Sequence, residues 1–495
     1  MESIWSKTCD IRRREPLRED IEADAVIIGG GMAGILIAYQ LKQVGLHAVL
    51  LEAERIGGGQ TKNTTAKITS QHGVFCKTFI EKKGKETALR YVQANQEAVE
   101  EYKRVIREEK IECEFQETDS YVYSRDEDKL KQEADAACEL GISAAYVKQI
   151  EIPVSCAGAV RFSHQAQFHP LKFIEAVADS LTVYEDSPVK EVEEHTVRTP
   201  GGSVRAEKIV FATHFPFVNF PGMYFTRMHQ ERSYVLALEQ AQTLNGMYIG
   251  DEDDTLSFRR YGKYLLLGGQ GHRTGKNKEG GRYAALRKAA GELYPNSTEA
   301  AYWSAQDCMT ADQVPFIGQY AKDRPGWLVA TGFQKWGMTS SMMSAMLIRD
   351  MICERENPYK EVFAPSRFSA EELPQIIKDG GMAVKGLTKR FFHIPAEAVS
   401  QIEPGHGAIV EAVRDKMAIE TADGEADMEI ARGKVGVYKS EEGELYQVDI
   451  VCPHLGCELA WNPDEKTWDC PCHGSRFDYK GNLLEGPAQE GIHHE

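Results

Sequence analysis

Near its C-terminal end the chain reads Cys452-Pro-His454-Leu-Gly-Cys457 and, after twelve intervening residues, Cys470-Pro-Cys472-His473-Gly-Ser475. Each stretch offers one thiol and one imidazole at short spacing. Two such half-motifs suit a [2Fe–2S] cluster with two chemically different irons, Cys452 and Cys470 on one and His454 and His473 on the other. Imidazoles in place of two thiolates raise the potential of such a cluster. The competing chemistry is a structural zinc site, since Cys₂His₂ ligation is ordinary for zinc. Cys-x-His combined with Cys-x-x-His is unusual zinc-finger spacing, which favours iron.

A second constellation lies near the other end. Asp24-Ala-Val-Ile-Ile has the continuous apolar pattern of a buried strand and runs into Gly29-Gly-Gly31-Met32-Ala33-Gly34, followed by the helical pattern Ile35-Leu-Ile-Ala-Tyr-Gln-Leu. The glycines of a Gly-x-Gly-x-x-Gly turn allow a tight turn, close approach of backbone to a pyrophosphate and close helix–strand packing. The helix N-terminus then supplies unsatisfied N–H groups and a positive dipole end to the phosphates. After Gly45 the chain returns as His47-Ala-Val-Leu-Leu-Glu52, a second strand ending in an acid suited to accept from ribose hydroxyls. Strand, glycine turn, helix, strand and acid together predict a dinucleotide site.

The cysteine and histidine loops, with their Leu-Gly-Cys and Gly-Ser flanks, resemble the Rieske proteins of respiratory and photosynthetic cytochrome complexes. That resemblance implies a Cys457–Cys472 disulfide tying the cluster loops together. In high-potential relatives a serine and a tyrosine after the second histidine donate to sulfur; here Ser475 is present and Phe477 stands at the tyrosine position. The expectation is a potential below the top of the Rieske range, which runs from about −150 to +300 mV.

The dinucleotide half resembles the glycine oxidase and D-amino-acid oxidase (DAO) family of FAD enzymes. The resemblance is carried by Gly57-Gly-Gly-Gln-Thr-Lys-Asn-Thr64-Thr65-Ala66-Lys-Ile-Thr-Ser-Gln-His72, similar to that family's flavin-contacting loop, and by Gln167-Phe-His169-Pro170. Ser187-Pro-Val189 with Ile209-Val-Phe-Ala212 resembles the strands beside the adenine. Asp312 to Gly318 and Ala330-Thr-Gly332-Phe-Gln-Lys-Trp336-Gly337-Met338 resemble the closing flavin segment, which leads into a helix from Ser340 to Met351. The implied FAD contacts are Gly29, Gly31, Met32, Ala33, Gly34, Glu52, Thr64, Thr65, Ala66, Val189, Gly332, Trp336, Gly337 and Met338. Cys308 lies near where some sarcosine oxidases attach flavin covalently, but in a different register, so the FAD is expected to be non-covalent.

The elements that must position these residues are those of an α/β chain, α+β overall. A Rossmann-like FAD domain with an inserted antiparallel-sheet substrate domain is expected over residues 1–370, the substrate part mainly at about 86–150 and 223–302. A linker at 371–394, which includes a helix at Ala370–Asp379, and an all-β Rieske domain at 395–495 follow. Thr87 to Lys110 reads as a charged amphipathic helix, Ser120-Tyr-Val-Tyr as a strand, and Asp126 as the cap of a helix that Gly141 ends.

The resemblance implies oxidation of a small amine, amino acid or related substrate at FAD, with electrons leaving one at a time through the cluster to an external acceptor. Relatives acting on amino acids grip a carboxylate with an arginine, and Arg260, in Leu256-Ser-Phe-Arg259-Arg260-Tyr, is the candidate anchor, against the plain reading of a surface arginine. His272, after Gly268-Gly-Gln-Gly, is the candidate histidine facing the flavin, against a structural or solvated loop residue. His164 and His169 have the spacing of an oxygenase iron site, but Arg161 stands where an aspartate is needed, which excludes it. Two other readings are an FAD/Rieske electron-transfer protein with no organic substrate, and a redox-sensing binding protein.

The net charge of −17 argues against a nucleic-acid partner, and no run of eighteen apolar residues predicts a membrane span. Arg12-Arg13-Arg14 has no apolar stretch behind it, unlike a secretory or twin-arginine signal. Seven of the eleven cysteines lie outside the cluster motif at irregular spacing, the pattern of free thiols in a reducing compartment. A cytoplasmic protein is expected, as a single copy or a homo-oligomer.

Overall fold

The computed structural model describes residues 1–367, 399–412, 417–421, 424–428 and 433–493. The expected linker at 371–394, its helix at Ala370–Asp379 and the expected start of the Rieske domain at residue 395 lie outside the described residues. The chain forms two compact units. The first comprises Met1–Gly222, Ser233–Gly271 and Tyr283–Ser369; the second comprises Met223–Arg232, His272–Arg282 and Ala370–Glu495.

In the first unit a parallel sheet runs in the order Trp327–Thr331, Gly202–Phe211, Ile21–Ile28, Ala48–Leu51, Thr182–Tyr184, with Phe316–Gln319 antiparallel at one edge. The strands Ala48–Leu51 and Trp327–Thr331 are buried at every position, as parallel strands covered on both faces must be. Helix Met32–Gln43 follows the first strand and is buried from Met32 through Leu41. It packs against helix Gly337–Ile352, which contains the predicted Ser340–Met351 segment.

A second sheet takes strands from Lys67–Ile68, Gln116–Ser124, Ala144–Val147, Gly158–Gln167, Met228–Glu239, Gly246–Gly250, Ser257–Tyr261, Tyr264–Arg273 and Thr298–Thr310. The recorded pairings are antiparallel except that Gly246–Gly250 runs parallel to Gln116–Ser124, so the expected antiparallel sheet is in fact mixed. The charged helix is Lys85–Glu108, and its buried face carries Ala88, Tyr91, Val92, Val99, Tyr102 and Ile106 at helical spacing. Asp126 caps helix Glu127–Glu139 by accepting from Lys129 N at 3.0 Å, and Gly141 follows it at φ +82°.

The regular structure described in the second unit is mainly β, with two short 3₁₀ turns at Tyr224–Thr226 and Val399–Gln401. Gly407–Ala412, Gly433–Lys439 and Leu445–Asp449 form one antiparallel sheet, and Ala460–Asn462, Thr467–Asp469, Arg476–Asp478 and Leu483–Glu485 form another. Val448, Ile450, Leu459, Trp468, Phe477 and Ile492 pack with the four motif cysteines in one core.

Candidate cluster and flavin sites

In the second unit the two cysteine loops have the same backbone design. Cys452 N donates to Cys457 O at 2.9 Å, and Gly456 N donates back to Cys452 O at 2.9 Å. Cys470 N donates to Ser475 O at 2.8 Å, and Gly474 N to Cys470 O at 3.0 Å. Both turns need a left-handed residue at the same place, filled by Gly456 at φ +78° and Gly474 at φ +84°. Each loop thus begins on a cysteine and presents its histidine from a tight turn.

The loops bring like donors together. The Cys452 and Cys470 thiols hydrogen-bond to each other, both buried, and the His454 and His473 rings lie 4.9 Å apart, edge to face. Cys457 and Cys472 are joined in the disulfide that the Rieske resemblance implied. Cys457, Cys470 and Cys472 also sit within 4.8 Å of one another, but two of those sulfurs are spent on that bond, so the trio is not a three-thiolate metal site.

The Cys452 thiol, and behind it the amides of His473, Cys472 and Gly474, hold the Cys470 thiol pKa down to about 7 against the effect of burial. Burial lowers His454 to about 4, leaving a neutral imidazole. The Ser475 hydroxyl bonds to the Cys452 thiol, whereas Phe477 is buried and has no polar atom to add. Paired thiols, paired imidazoles and amides aimed at sulfur fit a [2Fe–2S] centre with mixed ligands.

Three residues that sequence reasoning missed surround this site. Phe225 sets its ring edge-to-face against both His473, at 5.7 Å, and His454, at 6.4 Å. Gln230 and Arg273 bond to carbonyls of the second loop. None lies within 170 residues of the motif in sequence, so no local pattern could point to them. His272, the candidate to face a flavin, falls in this unit, with its Nδ1 2.9 Å from Arg273 O.

In the first unit the glycine turn is built as predicted. Gly29 sits at φ +109°, and a Cβ on Gly34 would lie 1.9 Å from Gly29 O, so a side chain there is excluded. A Cβ on Gly31 would meet only Thr61 Oγ1, at 3.5 Å, and one on Gly337 would meet nothing within 4 Å. The turn is therefore closed where the chain packs on itself and open where a pyrophosphate is expected, which fits a dinucleotide. Glu52 follows the second strand; its carboxylate accepts from Gly30 N at 2.6 Å and Glu54 N at 3.0 Å, while burial pushes its pKa up. Ser187 N donates to Glu52 O at 2.9 Å, bringing the Val189 segment to this acid.

The threonine loop is pinned by three large buried side chains. Trp303 Nε1 donates to Asn63 O at 2.9 Å and Trp5 Nε1 to Thr64 O at 2.7 Å. Arg259 donates to Thr65 O, to Ala66 O and Phe168 O at 2.8 Å each, and to Gln167 Oε1 at 2.9 Å. Ala66 takes φ +54° within this clamp. Past the loop, His72 stacks on Trp336 at 4.9 Å, and Thr339 Oγ1 donates to Thr69 O at 3.0 Å. The structure thus joins Thr69 and His72, just past the loop, to Thr339 and Trp336, although they lie some 270 residues apart in sequence.

Beside this loop Lys67 is half-buried. Its ammonium donates to Ser257 Oγ at 2.8 Å and Thr65 Oγ1 at 3.1 Å, with no carboxylate partner among the described residues. Burial, and then the Arg259 charge, lower its pKa from 10.5 to about 7. Arg260 is placed otherwise, its Nε donating to Gly262 O at 2.9 Å in an exposed hairpin. Of two adjacent arginines, Arg259 is the one turned inward. His164 is exposed beside Glu117, whereas His169 is buried against Thr8, so the two do not form a metal pair.

The family model of FAD dependent oxidoreductases (DAO) matches residues 24–351, and that of the Rieske [2Fe-2S] domain matches residues 411–494. Along almost its whole length the chain is 36% identical to YhfW of Bacillus subtilis (strain 168), a protein named for a Rieske 2Fe-2S iron-sulfur centre; the alignment covers 98% of this chain and 96% of that one. Iron-sulfur subunit 2 of the cytochrome b6-f complex of Trichormus variabilis (strain ATCC 29413 / PCC 7937) is 50% identical over 54 residues, 10% of this chain and 30% of that subunit. The glycine oxidase structure from Geobacillus kaustophilus superposes with a TM-score of 0.60 at 18% identity, over 70% of this chain and all of that one. Two loops built for a mixed-ligand cluster, a dinucleotide turn and these matches agree: the chain belongs to the DAO family of FAD-dependent oxidoreductases and carries a C-terminal Rieske [2Fe–2S] domain.

Proposed function

We propose that this oxidoreductase is a dehydrogenase of a small amine, amino acid or related molecule that delivers the electrons one at a time to an external acceptor. FAD supplies hydride acceptance from a C–H bond beside an amine, and the [2Fe–2S] centre supplies single-electron transfer. The observation that carries this reading is that one polypeptide holds both a pinned loop in its DAO domain and, in its Rieske domain, a thiol pair and an imidazole pair.

The residues divide the work. Gly29, Gly31, Met32, Ala33 and Gly34 would receive the pyrophosphate, Glu52 the ribose, and Thr64 to Ala66, Gly332 and Trp336 to Met338 the flavin, held non-covalently. Cys308 turns its thiol to His214 O at 3.3 Å. Cys452, His454, Cys470 and His473 would hold the two irons. Lys67, rather than Arg260, whose Nε is taken by Gly262 O of its own hairpin, is the cation suited to orient a substrate carboxylate, because its ammonium has only hydroxyl partners. The pinned loop keeps that ammonium in place.

Anaerobic mixing of the purified protein with a panel of amines and amino acids tests the reading. Bleaching of the flavin band near about 450 nm by at least one of them is expected. If only a partner reductase bleaches it, the chain is an electron-transfer protein without its own organic substrate.

A further inference from the structure

Three successive peptide groups of the second cluster loop share one orientation. Their N–H ends, on Cys472, His473 and Gly474, are directed at the Cys470 thiol, with Gly474 N shared between that sulfur and Cys470 O at 3.0 Å. The C=O ends of the same three groups, on Pro471, Cys472 and His473, are also taken. Arg273 Nε lies 3.4 Å from Pro471 O and its Nη2 lies 3.3 Å from Cys472 O, while Gln230 Nε2 donates to His473 O at 2.6 Å. Gln230 also reaches Gly486 O at 3.2 Å. Both residues belong to the second unit, although they come from far upstream in the chain.

The backbone enforces these contacts. Gly474, at φ +84°, lies so close that a Cβ there would be 2.7 Å from the Gln230 Cβ. Gly275, two residues after Arg273 and at φ +74°, lies so close to Pro471 that a Cβ would be 2.6 Å from its Cα. Gln230 is fully buried. At 3.3–3.4 Å the Arg273 contacts are long for hydrogen bonds, so the guanidinium acts mainly through its charge.

A peptide that accepts a hydrogen bond at C=O becomes a stronger donor at N–H, by about 10–30% per bond. Donors to ligand sulfur favour the reduced, more negative cluster and so raise its potential. We propose that Arg273 and Gln230 are positioning residues that raise the cluster potential by polarising the three peptides that donate to Cys470. This rests on the [2Fe–2S] reading of the site.

The test is an EPR-monitored redox titration of full-length protein carrying both cofactors, with Gln230→Leu, Arg273→Met and Arg273→Lys compared at matched iron and flavin content. Gln230→Leu and Arg273→Met should each lower the midpoint potential, while Arg273→Lys stays nearer the wild type. Resonance Raman bands of the Fe–S(Cys) stretches should shift in the same two variants. Unchanged potentials at full iron content overturn the proposal. So does an equal drop in Arg273→Lys and Arg273→Met, which marks packing alone. Iron lost from both Gln230→Leu and Arg273→Met overturns it as well, because the residues would then serve loop assembly. Failure of the underlying reading is visible separately, as wild-type protein that shows no [2Fe–2S] signal on reduction.

Discussion

Lys67 shows how one ammonium held away from carboxylates narrows the chemistry of a site. With its pKa lowered to about 7, it is charged below that pH and neutral above it. As a carboxylate anchor it should make kcat/KM for an amino-acid substrate fall as pH rises through about 7, because kcat/KM reports the free protein. Lys67→Arg should remove that fall, since guanidinium keeps its proton. At pH 6, Lys67→Met should lower kcat/KM about ten- to a hundredfold, the worth of a charge-assisted hydrogen bond. The stability effect has the opposite sign. The unfolded chain binds the lysine proton up to its ordinary pKa and the folded chain only to about 7, so wild-type stability rises with pH between those values. Lys67→Met should therefore gain most over the wild type in a denaturant titration at pH 6, and less as pH rises. Phe477 makes a second residue-scale prediction. Without a hydroxyl at that position, voltammetry should place the cluster below the upper end of the range of about −150 to +300 mV.

Elements carry the next set of effects. The strand–turn–helix unit depends on Gly34, where a methyl group would fall 1.9 Å from Gly29 O. Gly34→Ala should yield protein whose FAD content, read from its visible spectrum, is near zero. In the second unit a buried charge network links three elements. Arg232 pairs with both oxygens of Glu465 at 2.7 and 2.6 Å, and Arg476 reaches Glu465 at 3.0 Å and Asp469 at 3.0 Å. Arg232→Met leaves Glu465 half-compensated and should cost about 3 kcal/mol in guanidinium unfolding of that unit, the low end for a broken buried pair. Helices and caps were the most legible elements, because the apolar spacing of Lys85–Glu108 and the Asp126 cap are local signals. The choice between Arg259 and Arg260 was not legible. Neighbouring residues on a strand face opposite ways, and here both faces of Ser257–Tyr261 carry buried side chains.

At the scale of the whole molecule, the cluster unit is assembled from three separated stretches of chain. A fragment of residues 395–495 alone lacks Phe225, Gln230, Arg232, Arg273 and Asn277, whose partners include His473 O, Glu465, Cys472 O and Asn462. Such a fragment should lose its iron to a chelator many times faster than the full chain does, measured as decay of the visible cluster spectrum. The continuous Rieske segment expected from sequence is thus joined by two upstream stretches, Met223–Arg232 and His272–Arg282. No helix among the described residues is long and apolar enough to cross a membrane.

Cofactor chemistry was written in short spacings, because a thiol and an imidazole two or three residues apart, or three glycines in six, must share one loop whatever the rest of the chain does. The four proposed cluster ligands and the glycine turn were therefore readable from spacing, while the cysteine pair came from the Rieske resemblance. Which side chains stand behind those loops was not readable. Lys67, Arg259, Gln230, Phe225 and Arg273 gain their surroundings only when segments remote in sequence pack against the motifs, and burial, not spacing, lowers the pKa of Lys67 and of Arg259.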